Sequence, residues 1–513
     1  MLKSYDSGFR QRLSGVLSRI LEICDPRTLT RDKLSFLASK HRIKWDDHGP
    51  LTLIAVGKAS LFMALGAIDF LRREEITGGI VVAPDATLST GTGRSIASEL
   101  EAFGLEVMGA EHPYPGEGSF RAGKAVLEVV RNCRGRCLFL LSGGASSLME
   151  LNLERFPRKD VFSINKALVN SGANISEINT VRKHISTVKG GRLAQEFSGK
   201  AMLNLIISDV TGSALDTIGS GPTYPDSFDS TFGRCRDILS RYDILKVLSD
   251  EGRDFFYNGD PEYESPKELP NNDRMNHPQM NLWVSSSETQ ESAPPSPPPP
   301  NGGDPQRGFL RIEHHILMSN EILVEKLSSE YNYELLLPTT EPVEGLSDEW
   351  FTADSLATRL LDLCRRSLSA KPNSVGSVEK SSKFVIGGEP TVRVMGKGTG
   401  GRAQHTALLF LVGLMTDETL WKRRNDITLV TFATDGMDGN SPATGAIVDR
   451  ILFEKFYSPL DESDASVRTK MLEAVKKYFY KFDSHAFFEK YDSSILTGPT
   501  GTNVLDVYLL EIA

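Results

Sequence analysis

The chain has 513 residues, more than one hydrophobic core ordinarily accommodates, so two or three domains are expected. Hydrophobic residues at 40% and charged residues at 24% match a soluble globular protein, and no apolar run is long enough to span a bilayer. A formal net charge of -9 argues against a general nucleic-acid binder or a basic membrane-surface protein.

The first segment carries Lys3, Arg10, Arg12 and Arg19 with few acids, as a mitochondrial presequence would. However, Phe9, Leu13, Val16, Leu17, Ile20 and Leu21 share one face of a helix that ends near Pro26, and this helix is read as part of the fold. Five cysteines do not make a disulfide framework, so a reducing compartment is expected, cytoplasmic with the mitochondrion as the alternative. Cys133 and Cys137 lack zinc spacing and read as ordinary thiols.

Leu51–Val56 predicts a strand, followed by a helix through Leu61, Ala64, Leu65 and Ile68. Further strands are predicted at 79–83, 137–141, 203–207, 312–318, 384–386, 427–430 and 504–510. Continuous apolar strands separated by helices predict an α/β protein of two domains with mainly parallel sheets flanked by helices. Ligands of such sheets bind beyond the carboxyl ends of the strands. From about Gly259 to Gly308 the sequence turns polar and Pro-rich, predicting a disordered insertion that is dispensable between Glu262 and Asp304. The expected domains are therefore 1–250 and 309–513, joined by a linker over 251–308.

Several strand ends carry candidate chemistry. In Val56-Gly57-Lys58-Ala59, a lysine at a helix start makes sense if a phosphate sits beside it. Ser142-Gly143-Gly144-Ala145-Ser146-Ser147 opens a predicted helix with small residues, an anion cradle without the Gly-Lys-Ser/Thr of a Walker A loop. Arg182, Lys183, Lys189 and Arg192 form a basic run beside Gly190-Gly191, either a solvated helix face or contacts to an anion. Asp209 ends the next strand, and Ile218–Thr223 forms a Gly/Pro turn. Gly396–Gly401 matches G-x-G-x-x-G, either a dinucleotide fingerprint or, with Arg402 closing it, a polyphosphate loop. Asp435 and Asp438 pair acids at a strand end, as Mg²⁺ bound with phosphate oxygens requires. Thr497–Asn503 reads as a turn, hairpin-like, before the last strand. Lysine, arginine, anion cradles and paired acids together are what phosphoryl transfer needs.

The ordered series VGKA, HPYP, SGGASS, NTVRKH, KGGRLA, ISDV, IGSGPT, GGEPTV, GGRAQ, ATDGMDG and TGPTGTNV resembles the class II glycerate kinases with their MOFRL region. The resemblance runs from about Arg10 to the C-terminus and implies a Rossmann-like first domain, a MOFRL-type second domain and an active site in the interdomain cleft. It further implies transfer of the ATP γ-phosphoryl group to D-glycerate, giving 2-phosphoglycerate, with Mg²⁺ or another divalent cation. Some relatives carry a hydroxypyruvate reductase assignment, so an NAD(P)H-dependent reductase is the alternative. On this reading Lys58, Arg402 and Asp435 are catalytic, and Asp435 and Asp438 hold metal. Ser142, Gly143, Gly144, Ser146, Arg182, Lys189 and Asp209 contact substrate or phosphate. Gly398, Gly400, Gly401, Thr500 and Asn503 contact nucleotide. The chain departs from the family at Ala403 and at His405, where an acid is usual, and at Ser441–Thr444 after the paired acids.

Overall fold

The computed structural model describes residues 8–40, 49–258, 263–268, 311–336, 351–369, 382–456 and 465–513. The chain divides into two compact units, Pro26–Met318 and a second made of Met1–Asp25 with Ser319–Ala513, called here the N-terminal and C-terminal units. Among the described residues no helix is long and apolar enough to cross a membrane.

The N-terminal unit is built on strands β1 (Leu51–Val56), β2 (Ile76–Pro84), β3 (Glu106–Ala110), β4 (Arg136–Ser142), β5 (Ala201–Ile207) and β6 (Arg311–Met318). All pair in parallel, in the order β3-β2-β1-β4-β5-β6. Ile54, Val56, Phe139 and Leu141 on one face pack against Ala122, Val126 and Val130 of the helix Glu117–Asn132. Leu53, Ala55, Leu138 and Leu140, on the other face, are equally buried. Burial of both faces is why β4 reads as an unbroken apolar run. In this doubly wound order the connections reverse between β1 and β4, opening a crevice beyond their carboxyl ends.

The C-terminal unit holds β7 (Glu334–Leu336), β8 (Ser382–Gly387), β9 (Ile427–Ala433), β10 (Gly445–Val448), β11 (Ser494–Ile495) and β12 (Asp506–Ile512), in the order β11-β10-β9-β12-β8-β7. Here the expectation of a mainly parallel sheet is corrected: only β7 and β8 pair in parallel, while β12 runs antiparallel to both β8 and β9. β9 and β12 are buried along their whole lengths, so their continuous apolar sequences carry no mark of direction. The turn of 497–503 is likewise no hairpin, because β10 and β9 separate β11 from β12.

The first helix, Gly8–Ile23, belongs to the C-terminal unit, with Leu13, Val16, Leu17 and Ile20 buried. Its Arg10 donates to both carboxylate oxygens of the buried Asp449 at 2.8 Å. The division also differs from the expected one at the other end, since β6 lies before the change of unit and completes the N-terminal sheet. Part of the expected insertion is packed. Glu264 accepts from the Phe232 amide at 3.1 Å and pairs with His184 Nε2 at 2.7 Å, while Ser265 donates to the buried Asp226 at 2.5 Å. Replacing 262–304 would remove these bonds. The rest of the segment, 259–262 and 269–308, lies outside the described residues. All five cysteines are free and buried.

Candidate active site

In the N-terminal unit the candidate residues gather at the reversal point of the sheet. The turn between β1 and the helix Ser60–Phe70 carries Lys58, whose amide donates to Gly143 O at 2.8 Å. Next to it the Ala59 amide donates to Ser142 Oγ at 3.0 Å, so the turns after β1 and β4 are stitched together. Gly143 is required by close approach: a Cβ there would lie 2.0 Å from Asp209 Oδ2. Gly144, at φ +83°, occupies left-handed backbone, and a Cβ on it would lie 3.1 Å from both Lys58 Cγ and His112 Cδ2. Lys58, Asp209, His112 and the Ser142–Gly144 backbone thus converge. Burial raises the Asp209 carboxyl pKa, with the Lys58 charge opposing. Loss of solvation and then the Lys58 charge hold His112 down to about 4, although part of the residue reaches solvent. His112 was visible in the sequence only as part of the HPYP motif, with no role attached.

The predicted helix after Gly144 is a single turn, Ala145–Leu148. Ser146 Oγ lies 2.8 Å from Ser220 Oγ, which donates to Asn179 Oδ1 at 2.8 Å, so the Gly/Pro turn supports the cradle from behind. The basic run is not a solvated face. Lys183 pairs with Asp226 at 2.6 Å and Asp216 at 3.2 Å, and both Lys183 and Arg192 are buried. Lys189, expected at a phosphate, is 0% exposed and pairs with Glu150 at 2.7 Å, itself 1% exposed. It also donates to Met149 O at 3.2 Å. A lysine so enclosed is a core element, and that expectation is corrected. Arg182 is half-buried, donates to Asn165 Oδ1 at 2.7 Å and makes no ion pair among the described residues. Burial lowers its pKa, against the pull of Glu150.

In the C-terminal unit the antiparallel course of β12 decides the site. Its first residue, Asp506, pairs with Ala433 of β9, and Val507 pairs with Gly387 of β8. Glu389 after β8, Asp435 after β9 and Asp506 therefore lie at one edge of the sheet, with Arg402 at the start of the helix Arg402–Thr416. Arg402 Nε donates to Asp506 Oδ2 at 2.7 Å and Nη2 to Asp506 Oδ1 at 3.3 Å, with Glu389 Oε1 a further acceptor. Tyr508 donates to Asp506 Oδ2 at 3.1 Å. Burial alone would lower the Arg402 pKa, but Asp506 and then Glu389 raise it above the ordinary guanidinium range. Sequence reasoning missed Asp506; the only signal was an acid opening an apolar strand.

The paired acids separate in role. Asp438 is 1% exposed, and its two oxygens accept from the Ala403 amide at 3.0 Å and the Gln404 amide at 2.7 Å. It caps the helix that carries Arg402, and does not fit as a direct metal ligand. Burial and then the charge of Asp506 push its pKa up to about 7. Asp435 is half-buried and accepts from the Met437 amide at 3.1 Å, close enough to Asp506 for their charges to repel. Among the described residues no group of three or more His, Cys, Asp or Glu is arranged to hold a metal ion. A cation on Asp435 would take further ligands from phosphate and water, the usual habit of Mg²⁺.

The glycine loop is also other than expected. The amide of Gly398 donates to Lys481 O at 2.9 Å, that of Thr399 to Asp483 Oδ1 at 3.0 Å and that of Gly400 to Asn440 Oδ1 at 2.8 Å. A Cβ on Gly401 would lie 2.2 Å from Asp438 Oδ1. These glycines are needed for packing within the unit, and the bonded amides do not form an open phosphate cradle. Nor is the loop a dinucleotide fingerprint, because β8 ends at Gly387 and β12 intervenes between β8 and β9. Thr500 Oγ1 donates to Thr434 O at 2.6 Å and Asn503 Oδ1 accepts from Leu505 at 3.2 Å, so both tie their loop to the end of β9 and the start of β12.

Comparison with known proteins gives the family. Residues 12–256 match the domain of unknown function DUF4147, and residues 382–506 match the MOFRL family. The D-glycerate 2-kinase of Thermotoga maritima is 32% identical over 89% of this chain and 89% of its own length. The glycerate 2-kinase of Sulfurisphaera tokodaii is 30% identical over 97% and 99%. The crystal structure of glycerate kinase from Thermotoga maritima superposes with a TM-score of 0.68 at 27% identity, covering 97% of this chain and 98% of that one. The fold is thus shared over nearly the full length of a solved glycerate kinase, and with these identities the chain belongs to the glycerate 2-kinase family.

Proposed function

We propose that this protein is an ATP-dependent glycerate 2-kinase, transferring the γ-phosphoryl group to the 2-hydroxyl of D-glycerate to give 2-phosphoglycerate and ADP. The observation that carries the reading is the group at the β1/β4 reversal point. Lys58 is held by its own backbone to Gly143, beside a half-buried Asp209 and a cradle of small residues. A cation placed there stabilises charge developing on phosphoryl oxygens. As the new O–P bond forms and the bond to the β–γ bridging oxygen breaks, the hydroxyl proton needs an acceptor. Asp209, its carboxyl raised by burial, is suited to receive it. Ser142, Gly143, Gly144 and Ser146 shape the anion site, with Arg182 as the remaining basic contact.

In the C-terminal unit Arg402, immobilised by Asp506 and Glu389, acts on the nucleotide's phosphates. Asp435 would hold Mg²⁺ together with phosphate oxygens, where the cation supplies charge neutralisation. The decisive experiment is a coupled assay of ADP formation from ATP and D-glycerate, run beside NADH oxidation with hydroxypyruvate. ADP formation without NADH oxidation is expected; the reverse would install the reductase instead.

A further inference from the structure

We infer that a cavity beside Arg402 receives the nucleobase of the nucleotide, with the phosphates leading away toward the guanidinium. This rests on the kinase reading above. The cavity lies within the C-terminal unit and has a volume of about 530 Å³, in the range of small-molecule sites. Glu389 and Arg402 line it and form an ion pair with each other, so formal charge is confined to one place. Elsewhere the walls are uncharged. The loop after β8 contributes Pro390, Val392 and Val394, and the opposite segment contributes Phe482.

Three features suit a flat heterocycle. His405 lies nearly parallel to Phe482, at 4.7 Å and 8°, and to Phe479, at 5.3 Å and 16°, which sets a group of near-parallel rings at the cavity. Burial lowers the His405 pKa, which keeps the ring uncharged at neutral pH. The glycine loop forms a rigid wall, because Asn440 holds it twice, accepting from the Gly400 amide at 2.8 Å and donating to Gly398 O at 3.2 Å. Its bonded amides make it a surface to lie against, not a phosphate cradle. Finally, Val394 is 68% exposed at the rim, apolar area that a bound base would cover. A slot with uncharged, partly aromatic walls and a cation at one end fits an uncharged planar base carrying a polyphosphate.

The test uses the full chain with ATP, inorganic tripolyphosphate and 8-azido-ATP as probes. Val392→Trp, which fills the slot, is expected to raise the KM for ATP at least tenfold. The KM for D-glycerate, the affinity for tripolyphosphate and the thermal transition should stay within error. Val394→Glu, on the exposed rim, should weaken ATP several-fold and serves if the tryptophan variant does not fold. Photolabelling should mark the peptide holding Val392 and Val394, or the one holding Phe482, and excess ATP should suppress it. Wild-type turnover with an unchanged KM for ATP in both variants, or labelling confined to other peptides, would overturn the inference while leaving the kinase reading intact. Labelling in the slot by a wild-type protein that forms no ADP would do the opposite.

Discussion

Lys189 separates a structural role from a substrate-binding one. Its ammonium is fully enclosed, paired with Glu150 at 2.7 Å and bonded to Met149 O at 3.2 Å and Ser186 Oγ at 3.4 Å. Burial lowers its pKa and Glu150 opposes that shift, so the pair survives as a balance between desolvation and mutual attraction. Lys189→Met keeps most of the volume but leaves the Glu150 carboxylate buried without its cation. Breaking a buried pair from one side costs about 3–5 kcal/mol. Arg182 also attracts Glu150, which argues for the lower end, about 3 kcal/mol. For a unit spanning Pro26–Met318 that corresponds to roughly 5 °C in the melting temperature. Urea denaturation should show a lower midpoint with an unchanged slope, while KM for D-glycerate, measured well below the transition, should stay within about twofold. Adding Glu150→Gln, which removes the stranded charge and keeps an acceptor for the Leu151 amide, should recover most of the loss. A Lys189→Met protein that is destabilised by less than about 1 kcal/mol yet needs tenfold more glycerate would refute the reasoning and return Lys189 to the substrate.

Lys58→Ala and Arg402→Ala should each lower kcat by roughly a hundredfold or more, about 3 kcal/mol of transition-state stabilisation, while the fold survives. Arg402→Lys should restore little, because a point charge cannot span Asp506 and Glu389 as the planar fork does. Asp435→Asn should raise the Mg²⁺ concentration needed for turnover, whereas Asp438→Asn should leave the metal titration near wild type and lower stability through the damaged helix cap; the opposite pattern would exchange their roles. Burial would raise the Glu264 pKa, but the bonds from His184 and the Phe232 amide and the charge of Lys267 hold it at about 2. Its ordinary value is 4.5, so the stability it contributes is present above that pH and lost as pH falls from about 4.5 to about 2. Glu264→Gln should flatten the stability profile in that window, and an unchanged acid limb would mean that residues 263–268 add nothing there.

Local pattern was enough for eight of the twelve described strands, missing β3, β7, β10 and β11, and for naming many of the candidate site residues. The runs around Leu53, Phe139 and Ile206 could only be buried strands, and a lysine in the turn after the first of them already pointed to an anion. The first helix, too, was legible as part of the fold, because one apolar face needs a partner to cover it. Three matters rested on tertiary structure. Strand direction was hidden because β9 and β12 are covered on both faces, so an antiparallel strand carries the same apolar run as a parallel one. That direction alone brings Asp506 from the end of the chain to Arg402, about a hundred residues earlier in sequence. Charge in sequence does not reveal burial: Lys189 and Arg182 stand in one basic run, yet one is locked to Glu150 and the other is half open. Paired acids three residues apart likewise look equivalent until the helix amides claim both oxygens of Asp438 and none is seen to claim both of Asp435. Partners distant in the chain decide which charges are neutralised, and only the folded backbone selects those partners.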